Sequence, residues 1–304
     1  MKKEFFLIMI CIFSVIFSSC SMVKDTYLSQ AAISNFKGTD AYELSKAVMR
    51  QNSKKIKKIC KSNPNCMYAE DKKYNYTVLH YAVGLEKYES AKALLEVGMN
   101  PNIQTSNKGE TPLFISTNYW EIDIKFMKLL IENGANPEIG TIYNKDWGGW
   151  ATGTTPLMTL PTMYIPAQKI NMEKAKYLIE FGNVNINNTD IDGVTAAVKA
   201  LRMKDVKMAY YIIVELKADV TKPFYSPDWL LFEGEKKKEF SPVSELKDWW
   251  IYPIDSEEYK IKLEIIKEFE RQGVDYKSVE PAQFALDNIK KLYPDSWEDY
   301  LEKY

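Results

Sequence analysis

Four threonines set the plan of this 304-residue chain: Thr77, Thr111, Thr155 and Thr195. Each opens a short apolar-periodic segment, and each is followed by a polar turn and a second apolar segment that ends in a polar close. Thr77-Val78-Leu79-His80-Tyr81-Ala82 leads to Leu94-Leu95-Glu96-Val97-Gly98; Thr111-Pro112-Leu113-Phe114 leads to Leu129-Leu130-Ile131-Glu132-Asn133-Gly134; Thr155-Pro156-Leu157-Met158 leads to Leu178-Ile179-Glu180-Phe181-Gly182. The copy that begins at Thr195 is weaker and closes at Lys217-Ala218-Asp219-Val220. Thr77 and Thr111 lie 34 residues apart, and the later spacings of 44 and 40 leave room for insertions. A period in the thirties with helix-turn-helix content specifies a stacked repeat array, because one helix pair cannot bury its own apolar face.

Each recurring residue has a physical task. Thr at a helix start accepts from an orphan backbone N–H. Pro at the next position loses nothing, since its missing donor has no intrahelical partner there. Gly after the second helix supplies the left-handed residue that ends it.

These motifs resemble the ankyrin repeat, which opens Gly-x-Thr-Pro-Leu-His-x-Ala and closes Leu-Leu-x-x-Gly-Ala-Asp-x-Asn. Gly109-Glu110-Thr111-Pro112-Leu113 and Gly153-Thr154-Thr155-Pro156-Leu157 are near-complete openings, and Gly134-Ala135-Asn136 is a near-complete close. The resemblance implies an all-α solenoid of helix-turn-helix units with β-turn fingers. It covers about residues 40–276, strongly only 77–188, in about six repeats of which the first and last diverge. Residues 277–304 are expected to form capping helices. The resemblance also implies that His80, the one histidine, hydrogen-bonds structurally between neighbouring repeat loops.

The N-terminus is a targeting segment. Lys2 and Lys3 precede an apolar run from Phe5 to Phe17, too short for a convincing membrane span, and then Ser18-Ser19-Cys20-Ser21. That order resembles a bacterial lipoprotein signal: residues 1–19 are removed, Cys20 carries the lipid, and residues 20–39 form a tether. Phe17 stands where the usual motif prefers Leu. The resemblance implies a lipid-anchored location on the bacterial cell envelope, periplasmic or outer-surface. Outside the cytosol a disulfide can persist, and Cys60 and Cys66 are the candidate pair across Lys61-Ser62-Asn63-Pro64-Asn65.

Composition narrows the function classes. Forty basic and 41 acidic residues give a formal charge of −1, so no overall basic excess points to nucleic acid. One histidine excludes a His-rich metal site, no glycine-rich phosphate loop appears, and the carboxylates are scattered. No enzyme, cofactor or metal is expected. What remains is recognition by surface, and the resemblance implies a protein partner. The segment between the third and fourth copies is long enough to extend one finger and brings Tyr143, Trp147 and Trp150 near its tip. Trp120, in the slightly long turn of the third copy, joins them as a candidate binding residue. Two alternatives stay open: an envelope component without a tight partner, and an aromatic groove for peptide or glycan.

Overall fold

The computed structural model describes residues 32–142, 151–226 and 236–303. Its helices come as antiparallel pairs lying side by side in chain order. After α1 (Ala32–Asn35), the pairs are α2 (Tyr42–Met49) with α3 (Ser53–Ser62), α4 (Val78–Gly84) with α5 (Tyr88–Glu96), and α6 (Pro112–Asn118) with α7 (Ile124–Glu132). In the fourth pair a 3₁₀ turn, Pro156–Thr159, replaces the first helix and α8 (Ile165–Phe181) is the second. Then follow α9 (Ala196–Arg202) with α10 (Val206–Ala209), and α11 (Pro242–Trp249) with α12 (Glu257–Arg271). First helices contact first helices from α2 through α11, and second helices form an outer row. The fold is therefore an ankyrin-type helical solenoid.

The apolar positions expected from periodicity carry this stacking. Leu79, Ala82, Val83, Ala91, Leu94, Phe126, Leu130 and Leu178 are buried in one continuous core. Thr111 Oγ1 accepts from Phe114 N at 3.1 Å and Thr195 Oγ1 from Val198 N at 3.2 Å, so both threonines cap as expected.

The closes differ more than their sequences do. Gly98 and Gly134 hold φ of +88° and +86°, where a side chain costs strain. In the fourth repeat the helix runs one residue further, so Gly182 stays right-handed (φ −90°) and Asn183 takes the left-handed position at +54°. In the fifth, α10 passes into a π-type turn over Tyr210–Glu215, and Lys217 sits at φ +59°.

The second helix of the fourth repeat begins at Ile165, because Pro166 fits the first turn of a helix. The array begins before residue 40: Phe36, assigned to the tether, is buried and meets the Tyr81 ring edge-on at 5.4 Å. Residues 223–242 include an antiparallel pair, β1 (Phe224–Tyr225) and β2 (Glu239–Phe240). At the far end α13 (Gln283–Leu292) and α14 (Trp297–Lys303) close the stack. There the Tyr300 hydroxyl donates to Tyr252 O at 2.8 Å and accepts from Tyr252 N at 3.1 Å.

Candidate protein-binding face

The loops between repeats line up edge to edge. Ile142 N donates to Lys108 O at 2.8 Å, Ile191 N to Thr152 O at 2.8 Å, and Tyr225 N to Asp192 O at 2.7 Å. Each bond ties one finger to the one before it, so the fingers form a row at the N-terminal ends of the first helices.

Two fingers in that row stand on paired stems. In the first, Thr141 N donates to Thr154 O at 3.1 Å and Gly153 N to Thr141 O at 2.8 Å. The backbones cross so closely that a Cβ on Gly140 would lie 2.6 Å from Gly153. The second stem is β1 with β2, in which Phe224 pairs with Phe240 and their rings stack at 5.6 Å. Tyr143, Trp147 and Trp150, the aromatic residues expected at the first tip, lie outside the described residues.

Charged side chains fill the space between these stems. Asp190 and Asp192, in the intervening finger, are buried. Lys237 Nζ reaches Asp192 Oδ1 at 2.6 Å, so the Lys236–Lys238 run is not wholly a solvated loop as its composition suggests. Arg202, near the end of α9, donates to Glu245 Oε1 on α11 at 2.8 Å and lies 4.3 Å over the Phe224 ring. Burial pushes the Lys199 ammonium down to about 8, with Arg202 acting in the same direction and the two aspartates against it. Burial also raises the Asp190 and Glu245 carboxyls above their ordinary range, although Arg202 opposes this at Glu245. The arrangement offers charge-assisted hydrogen bonds and an aromatic-lined edge, which suits gripping another macromolecule.

Trp120 belongs elsewhere. It follows the C-terminal end of α6, opposite the fingers, and its ring meets Tyr164 at 5.5 Å. Tyr164 with Met163 and Ile165 forms an exposed apolar edge on the helix–helix turns, Ile165 being 78% exposed. That edge was not legible in the sequence: Leu160–Pro166 reads as an insertion, and nothing in its order tells which side chains face water.

His80 is fixed in a structural role. Its Nε2 lies 2.9 Å from Glu110 O, its Nδ1 is 3.2 Å from Thr77 N and 2.9 Å from Thr77 Oγ1, and Tyr76 stacks on it at 5.5 Å. A carbonyl only accepts, so Nε2 carries the proton and Nδ1 accepts from Thr77 N. Burial pushes its pKa down to about 4. A fully enclosed ring with both nitrogens committed cannot act as a general base on a substrate.

Cys60 and Cys66 stand as buried free thiols. Burial pushes the Cys60 thiol up to about 12, with the neighbouring Cys66 acting in the same direction. Cys20 lies outside the described residues. Among the described residues no group of three or more His, Cys, Asp or Glu side chains is placed to hold a metal, and no helix is long and apolar enough to cross a membrane.

A family model described as ankyrin repeats matches residues 44–141 in three copies. An ankyrin repeat protein of Acanthamoeba polyphaga mimivirus is 32% identical over 111 residues, which is 36% of this chain. The shared segment spans 14% of that relative's length. Motif phase, stacking order and family match agree over residues 44–141: this segment of the chain is made of ankyrin repeats.

Proposed function

We propose that the array is a protein-binding module held at a bacterial envelope by a lipid on Cys20. The observation that carries the binding half is the finger row, in which two long stems flank the charged cluster of Asp192, Lys199, Arg202 and Lys237. Such a row gives a partner a rigid edge with charged side chains along it. The anchoring half rests on residues 1–21 of the sequence alone.

Crosslinking in intact cells, followed by mass spectrometry, identifies the partner. Trp147→Ala with Trp150→Ala is expected to lower its recovery at least tenfold while the melting temperature stays within a few degrees; Arg202→Ala is expected to lower recovery and, because it strands the buried Glu245 carboxylate, the melting temperature as well. Undiminished recovery with both variants would remove the finger row from the binding site. Labelling with a palmitate analogue is expected to mark the native chain and not Cys20→Ala.

A further inference from the structure

The outer helix of the first repeat, α3, carries charge that the stack does not use. Its buried side chains are Ile56 and Cys60. Lys54, Lys57, Lys58 and Lys61 follow one another at i, i+3, i+4 and i+7, an arc of about 100° on the opposite side. All four are exposed, as is Lys55 beside them. From Leu44 to Ala69 the chain has seven Lys or Arg and no Asp or Glu, although its formal charge overall is −1. Lys57 meets Glu96 of α5 at 2.8 Å. Among the described residues no ion pair is formed by Lys54, Lys58 or Lys61.

Like charges three and four residues apart oppose helix formation, so this stripe weakens α3 locally. The helix keeps Asn52 as its cap, accepting from Lys55 N at 3.0 Å, and Lys61 in its last turn suits the helix dipole. One lysine at the C-terminal end would serve that purpose. Four in a line create a positive surface about 10 Å long.

We propose that this stripe docks the first repeat on an anionic phospholipid surface. Flexible ammoniums in a row, with no pocket between them, respond to charge density and not to the shape of a ligand. A plane of lipid phosphates meets such a row along its whole length. The stripe also belongs to the repeat nearest the N-terminus, so a lipid on Cys20 would hold it beside a bilayer; the choice of a membrane rests on that envelope reading.

The test uses the full chain with Cys20→Ala, which bears no lipid, so failure of docking and failure of acylation are separate results. Its co-sedimentation is measured with vesicles of phosphatidylglycerol and phosphatidylcholine, and with phosphatidylcholine alone. Binding is expected only above the neutral-vesicle baseline that the apolar residues 5–17 set. It should weaken steeply between about 0.1 and 1 M salt, as the screening length falls from ~10 to ~3 Å. Changing Lys54, Lys57, Lys58 and Lys61 together to Gln should reduce it by about 100-fold or more while the melting temperature holds or rises. The same change at the exposed Lys236, Lys238, Lys260 and Lys267 serves as the charge-matched control and should leave most of the binding. Equal losses in the two variants, no preference for anionic vesicles, or binding to heparin or RNA but not to vesicles would each overturn the proposal.

Discussion

Lys174 of α8 donates to Ser116 O at 2.8 Å and to Tyr119 O at 3.1 Å, across the boundary between the fourth and third repeats. These carbonyls stand at the C-terminal end of α6, where helix carbonyls lack intrahelical partners and a cation is favoured. The side chain is fully buried. Lys174→Met is therefore expected to destabilise the array by about 3 kcal/mol, since it leaves buried carbonyls unpaired. A urea midpoint unchanged from the native protein would show that the carbonyls find other donors.

Lys262 makes a contrast. It too is buried and donates to a helix-end carbonyl, Trp250 O at 3.0 Å, but burial and the neighbouring Lys247 push it down to about 6. The folded chain therefore holds the neutral amine at pH 7, while the unfolded chain holds the ammonium until about pH 10.5. Stability lost to this group is absent above pH 10.5 and grows as pH falls to about 6, by at most about 1.4 kcal/mol per unit. Lys262→Met should raise stability more at pH 7 than at pH 9.5. Equal gains at both values would refute the neutral amine.

The His80 ring shifts in the same direction. Its folded pKa near 4 lies below the unfolded value of 6.5, so its contribution is complete above 6.5 and is lost as pH falls towards 4. The loss amounts to about 3 kcal/mol. Glu110, raised by burial, acts with the opposite sign. His80→Gln keeps Glu110, so the variant should be less stable at pH 7 yet flatter between pH 6.5 and 4. Denaturant midpoints across that range decide it; parallel slopes for the two proteins would rule the mechanism out.

Gly140→Ala should disturb the first long finger from its base. The added methyl would lie 2.6 Å from Gly153 backbone, so the stem must open, at about 1–3 kcal/mol. Gly98→Ala, with nothing within 4 Å of its added carbon, tests left-handed strain alone and should cost about 1 kcal/mol. Hydrogen exchange at Thr141 and Gly153 should rise in the first variant only. If those amides stay protected, the backbone crossing is not the constraint.

Lys217→Gly is expected to stabilise slightly. It relieves a side chain at φ +59°, worth about 1 kcal/mol, and forfeits a half-exposed ion pair with Glu268 at 2.9 Å that contributes less. Glu268 keeps Arg271 and Gln272 as donors. A lower melting temperature would mean that the bridge between repeats outweighs the strain.

Repetition made the architecture readable. Thr111 and Thr195 mark helix starts because capping is a local interaction, and Leu94 with Leu130 mark buried faces because helical period is local too. Gly98 and Gly134 were legible as stops for the same reason, while Gly182 was not, since a one-residue helix extension passes its task to Asn183. His80 could be placed in a structural role from its position in the motif, and both its ring nitrogens are committed there.

The surface followed other rules. Trp120 and the long finger look like one aromatic group in sequence, yet α6 puts Trp120 at its far end, against Tyr164. Asp192 and Lys237 are 45 residues apart, and no local pattern announces their contact. The lysines of α3 are plain in the sequence, but only burial of Ile56 and Cys60 against the stack turns them into a single outward stripe. Backbone caps and apolar period act within a few residues, so the chain alone determined the solenoid. Which charges and rings share a face depends on how repeats lie against one another, and that was decided only by tertiary structure.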